Sequence, residues 1–231
     1  MKKTFIFLAC LMFLGFYQNL SFAAPFQNGT FDTNFNGWLG ELHAADLNGD
    51  IIAHYDLDPN APSFTLDAEG DGTPENYQNN YFSIDNHQAK LTNDETFFDV
   101  VLYQDFDMET LSPGWTMDIS FWIKWTPTNS DQDSLSAILT DNNNSSNQLA
   151  LLASISTNDL TDGVNVVVDV TSFAGKNVDL AFSLLDYDFD TRDKLLIDNI
   201  TFNKHSASVP EPATMFLVGI GFLPLCLFRK K

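Results

Sequence analysis

The chain has 231 residues, 44% of them hydrophobic, and carries 31 acidic side chains against 11 lysines and arginines, a formal net charge of −20. So large a negative charge excludes nucleic acid and anionic lipid surfaces as electrostatic partners and suits a surface that stays hydrated or holds divalent cations. The two cysteines, Cys10 and Cys226, lie near the two ends; the chain between them has no disulfide framework and no thiolate metal site, and its stability rests on a hydrophobic core that about 180 residues suffice to build.

At the N-terminus, Met1-Lys2-Lys3 precede an almost wholly apolar stretch from Thr4 to Tyr17 and then Ser21-Phe22-Ala23. A basic start, a short apolar core and small residues before the cut make a secretory signal peptide over residues 1–23, with cleavage expected after Ala23. Cys10 belongs to its apolar core. Residues 24–204 are expected to form one exported domain, opening on the aromatic, turn-rich run Asn28-Gly-Thr-Phe-Asp-Thr-Asn-Phe-Asn-Gly-Trp38. Residues 41–96 show little periodicity and are expected to be a loop-rich insertion. Acidic runs at Asp46–Asp50, Asp67–Glu75 and Asp186–Asp190 alternate like calcium loops, but each lacks the turn glycine or the closing glutamate of a complete one and reads as a solvated turn.

From Phe98 onward, period-two alternation recurs. Candidate strands run over Phe98–Phe106, Met117–Trp125, Ser134–Thr140, Gln148–Ser156, Val164–Val170, Val178–Leu185 and Lys194–Phe202, separated by loops such as Asp141–Asn147. No long amphipathic helix interrupts them. Many short strands with regular turn signals predict an all-β antiparallel sandwich.

Sugar recognition needs an aromatic ring on a solvent-facing surface, because a pyranose lays its C–H face on the ring while nearby polar groups bond its hydroxyls. Trp122, flanked by Ser120 and Lys124 on the polar side of its strand, is the candidate platform, with Tyr77 and Tyr81 as additions. Trp38 and Trp125 are expected in the core. Catalysis has little support: there is no Gly-x-Ser-x-Gly elbow, no His-Glu-x-x-His, no phosphate loop and no cysteine nucleophile, and His43, His54, His87 and His205 are scattered. A protein without enzymatic activity is expected.

Residues 205–231 form a tail with three parts: Pro210-Glu211-Pro212, an apolar stretch from Ala213 to Phe228, and Arg229-Lys230-Lys231. As a helix the stretch reaches about 24 Å against a bilayer core of about 30 Å, so it spans with local thinning or snorkelling. The basic cluster holds the end on the cytoplasmic side and leaves everything upstream of Pro210 outside.

That tail closely resembles the PEP-CTERM sorting signal of Gram-negative bacteria. The resemblance implies recognition and processing by a membrane peptidase, exosortase. It also implies transient membrane anchoring and delivery to the cell surface or exopolysaccharide matrix. Asn28–Trp38 is similar to the opening strand and turn, the run from Val170 to Leu184 to the penultimate turn and strand, and Leu195-Leu-Ile-Asp-Asn-Ile-Thr-Phe202 to the closing strand of galactose-binding-like and carbohydrate-binding jelly rolls. This implies a jelly-roll sandwich with a glycan partner. It further implies a structural calcium tying first strand to last through Asp32 and Asp198. The alternatives are a polysaccharide-modifying enzyme and an unprocessed periplasmic domain anchored in the inner membrane.

Overall fold

The computed structural model describes residues 25–45, 51–67, 72–93, 97, 99–128, 134–186 and 193–206. The expected signal peptide, the Pro210-Glu211-Pro212 tripeptide, the apolar stretch 213–228, the basic end and the acidic run 46–50 lie outside the described residues. Among those described, no helix is long and apolar enough to cross a membrane.

The strands are β1 (Leu39–Ala45), β2 (Ile51–Leu57), β3 (Ser63–Leu66), β4 (Glu75–Gln78), β5 (Phe82–Asp85), β6 (Gln88–Thr92), β7 (Asp99–Asp107), β8 (Thr116–Thr126), β9 (Ser134–Asp141), β10 (Asn144–Ala150), β11 (Val164–Asp169), β12 (Asn177–Leu185) and β13 (Lys194–His205). One short helix, α1 (Thr157–Asp162), precedes β11. A six-stranded sheet runs in the order β10-β9-β12-β7-β1-β2, a five-stranded sheet in the order β11-β8-β13-β6-β5, and β3 and β4 form a separate ribbon. Every pairing among the described residues is antiparallel.

The two sheets pack face to face because alternate side chains on each are apolar. In β8, Met117, Ile119, Phe121, Ile123 and Trp125 are buried while the residues between them are half-buried. In β12, Val178, Leu180, Phe182 and Leu184 fill the facing layer. Phe182 meets Phe121 across the sandwich at 5.4 Å between ring centroids. Each such side chain taken out of water contributes about 1.5–3 kcal/mol, which is what the cysteine-free chain has in place of cross-links.

Three expectations are corrected here. Residues 41–96 are not a loop-rich insertion: they supply β1 and β2 to one sheet and β5 and β6 to the other. Their strands are only four to seven residues long, too short for periodicity to stand out. The run 141–147 is a tight β9–β10 hairpin rather than a loop, and β10 ends at Ala150 instead of reaching Ser156. Residues 28–38 form turns, not an opening strand. Asn28 and Phe31 sit at φ 52° and 46°, which lets Phe31, Phe35 and Trp38 all turn inward and become buried. The segment still reaches the last strand: the Ile200 N–H donates to the Gly29 carbonyl at 2.9 Å. Only glycine fits at that crossing, since a Cβ on Gly29 would lie 2.2 Å from the Ile200 carbonyl oxygen.

Candidate functional site

The outer face of the six-stranded sheet brings together side chains from five strands. Register places Leu39 opposite Tyr103, Tyr103 opposite Ala181, Ala181 opposite Ile138 and Ile138 opposite Ala150. Directly paired residues share a face, so these five make one apolar row across β1, β7, β12, β9 and β10. At about 4.8 Å between strands the row is about 19 Å long. Leu39 and Ala150 are exposed, and the other three are half-buried.

Polar rows flank it. On one side lie Asp105, Asp179, Thr140 and Gln148, again in direct register. On the other lie Asp56, Glu41, Ser183 and Ser136, interrupted between Glu41 and Ser183 by the buried, apolar Val101. The electrostatics of the face follow from this crowding of carboxylates. Burial, then the charges of Asp105 and Glu41 and a hydrogen bond to Asp105, push the Asp179 carboxyl up to about 7. Burial, with the negative charges of Glu41, Asp56, Asp105 and Asp179 added, pushes the Tyr103 phenol up to about 12. Tyr103 is therefore an uncharged ring in an acid-lined strip, and Asp179 holds its proton well above the ordinary carboxylate range. Asn142 Nδ2 donates to Asp105 Oδ1 at 2.9 Å and fixes one end of that pair.

At the β1–β2 edge, His43 stands opposite His54 and Glu41 opposite Asp56. His43 Nδ1 lies 3.1 Å from Asp99 Oδ2, and this hydrogen bond is the main cause that raises the His43 imidazole above its ordinary value, against burial and with help from Glu41.

The aromatic residues proposed from sequence are not brought together. Trp122 is half-buried on the outer face of the five-stranded sheet, opposite Asn165 and Asp198. The α1–β11 corner covers part of its indole: a Cβ on Gly163 would lie 2.8 Å from Trp122 Cζ2. Helix α1 is held there by Ser156, whose Oγ accepts from the Asp159 N–H at 3.2 Å. Tyr77 is half-buried on β4, 5.6 Å from the Phe97 ring. Tyr81 is corrected outright as a platform. It is 2% exposed, edge-on to Phe97 at 5.2 Å, because the loop before β5 folds its ring into the core. The row through Tyr103 was missed from sequence, since its members come from five separate strands.

Asp32 and Asp198 lie in reach of one another's charge. Burial raises the Asp198 carboxyl, the Asn199 N–H opposes this, and Asp32 adds to it. Asp198 accepts from Asn199 N at 2.7 Å and Asn199 Nδ2 at 2.9 Å, and Asp32 from Thr30 Oγ1 at 3.1 Å. Two neighbouring carboxylates are oxygen donors of the kind calcium takes.

Residues 208–230 match the PEP-CTERM protein-sorting motif. No curated protein matches the chain. Among solved structures the chain is similar to TmCBM61 in complex with β-1,4-galactotriose, at 12% identity over 79% of this chain and 99% of that one, with a TM-score of 0.42. It is also similar to the N-terminal cellulose-binding domain of Cellulomonas fimi β-1,4-glucanase C, at 14% identity over 79% and 98%, TM-score 0.40. A cyclase from Fischerella sp. TAU has the same level of likeness, 12% identity over 81% and 98%, TM-score 0.39. The chain is a two-sheet β-sandwich that carries the PEP-CTERM protein-sorting motif over residues 208–230, a motif that implies export and exosortase-mediated sorting to the cell surface.

Proposed function

We propose that the protein is a non-catalytic component of the cell surface or exopolysaccharide matrix, freed from its membrane tail by an exosortase-like peptidase, with a jelly-roll domain that binds glycan. The observation that carries the binding is the apolar row Leu39–Tyr103–Ala181–Ile138–Ala150 with polar rows on both sides. An extended saccharide presents C–H faces to the row and hydroxyls to Glu41, Asp105, Asp179, Thr140 and Gln148. The carboxylates accept hydroxyl protons strongly and repel uronates and sulfates, so the chain selected is neutral or carries amino groups. Hydrolysis is not supported. Glycosidase carboxylates stand roughly 5–10 Å apart across the bond they cleave, whereas Asp105 and Asp179 bond directly to each other.

The test expresses the full chain in an exosortase-bearing host. The product's intact mass is expected to lack the residues after Pro210-Glu211-Pro212, and that product, in chelator, is expected to bind neutral or amino-sugar polymers on a glycan array. Tyr103→Ala should weaken binding about tenfold or more, the size of one aromatic anchor. Binding lost in Trp122→Ala and kept in Tyr103→Ala would move the site to the five-stranded sheet. An intact tail in the inner membrane would remove the matrix assignment.

A calcium ion between Asp32 and Asp198 belongs to the same proposal, relieving the repulsion described above and tying the 28–38 turns to β13. Millimolar calcium is then expected to raise the melting temperature over that in chelator, and Asp198→Ala to abolish the rise. Equal melting in both conditions removes the ion.

A further inference from the structure

A second site, which shares Glu41 with the strip above, stands at the edge of the same sheet, and it is built from histidine as well as carboxylate. β2 is the edge strand, and its antiparallel register with β1 sets His54 opposite His43 and Asp56 opposite Glu41, all four outward. Their donor atoms converge. His43 Nε2 is 3.3 Å from Glu41 Oε2, and His54 Nε2 is 3.2 Å from Glu41 Oε1 and 3.3 Å from Asp56 Oδ1. Ligand atoms of Glu41, His43 and His54 all lie within 4.8 Å of one another. Ligand atoms held about 2.0–2.1 Å from a tetrahedral ion are about 3.3 Å apart; the histidine–carboxylate contacts of 3.2–3.3 Å match that edge, and the ligand atoms of the three residues as a set lie within 4.8 Å.

The support behind the cluster is of the kind that metal-binding histidines have. His43 Nδ1 meets Asp99 Oδ2 at 3.1 Å, and Ser183 Oγ donates to Asp99 Oδ1 at 2.5 Å. Asp99 and Ser183 are each only 8% exposed. A ring whose Nδ1 proton goes to Asp99 turns the Nε2 lone pair toward the Glu41 carboxylate, acceptor against acceptor. His54 Nε2 faces two carboxylates and has one proton to offer. Either extra protons or a cation must stand between these groups, and a histidine anchored through its other nitrogen by a buried carboxylate is the usual arrangement around zinc.

The geometry assigns Glu41, His43 and His54, with Asp56 standing against His54, as a binding site for a divalent transition metal of the zinc class. Mixed nitrogen and oxygen donors select against calcium and magnesium, which take oxygen. The site is open to solvent on the His54 side, where the side chain is 51% exposed, so an ion has a path in.

The experiment strips the detergent-solubilised full chain with chelator and titrates it with Zn²⁺ at neutral pH by calorimetry, and with Co²⁺ by absorption. Expected are one equivalent per chain and the intense d–d bands of cobalt in a low-coordinate nitrogen and oxygen site, neither displaced by millimolar calcium. His54→Ala, an exposed change that leaves the core intact, should abolish the equivalent. Ser183→Ala should weaken binding about tenfold by freeing Asp99, and His205→Ala, at the far end of β13, should leave it unchanged. No bound equivalent, or an equivalent kept in His54→Ala, overturns the assignment. Glycan binding in chelator is read separately, so failure of one leaves the other standing.

Discussion

Phe182→Ala is expected to cost about 3–5 kcal/mol, the range for deleting a fully buried phenylalanine and leaving its cavity. Phe182 sits on β12 in the middle of the six-stranded sheet, 0% exposed. Its ring lies 5.4 Å from Phe121 of the opposite sheet and 6.2 Å from Trp38 of the opening turns. One truncation therefore loosens both sheets and the segment that closes the sandwich, and no disulfide limits the damage. For a domain of this size each kcal/mol moves the melting temperature by about 2–4 °C, so thermal unfolding should begin about 10 °C lower. Leu39→Ala, 46% exposed on the outer face, is the comparison and should change melting by about 1–2 °C at most, within the ±0.5 kcal/mol usual for surface sites. Equal losses in the two variants would mean that the sheets do not pack through Phe182.

Asp179→Asn should stabilise the protein, and only at the upper end of the pH range. In the folded state burial and the neighbouring acids hold the Asp179 carboxyl at about 7 against an ordinary value of 3.8. Between those values the folded chain binds the proton more tightly than the unfolded chain, so the contribution of this group to stability falls as pH rises from about 4 to about 7, and the cost stays in place above that. Asparagine has the same shape and no charge to desolvate. Measured in chelator, so that no cation intervenes, the variant and the parent should melt together near pH 4. They should separate by about 5 °C above pH 7, the equivalent of about 2 kcal/mol after allowance for solvent at the face. A separation that is the same at both pH values, or that appears only in acid, would contradict the strip of crowded carboxylates around Tyr103.

Much of the fold was legible because its longest strands alternate cleanly. β8, eleven residues long in the five-stranded sheet, has an apolar side chain at every second position, and β12 of the six-stranded sheet buries Val178, Leu180, Phe182 and Leu184 in the same way, so both sheets could be foreseen from one strand of each. The region 41–96 was not legible. In β2, Ile51 and Ile52 are both exposed while Tyr55 leans on the core, and a four-residue strand such as β5 has too few positions for a period of two to register. Tyr81 was misplaced for the same reason: in an Asn- and Gln-rich run nothing local says that its ring will be taken up by Phe97.

The sorting tail is decided by the sequence by itself. Hydropathy, charge and the order of a few adjacent residues are local quantities, and Pro210-Glu211-Pro212 followed by an apolar stretch and a basic end needs no partner elsewhere in the chain. Strand alternation also tells which side of a sheet a residue faces. It cannot tell which residue stands beside it, because that depends on register between strands far apart in sequence. Only the tertiary structure sets Leu39 beside Tyr103, Tyr103 beside Ala181, and His43 beside His54. The apolar row and the histidine–carboxylate cluster exist through those pairings, each side chain being unremarkable until its neighbour strand is in place.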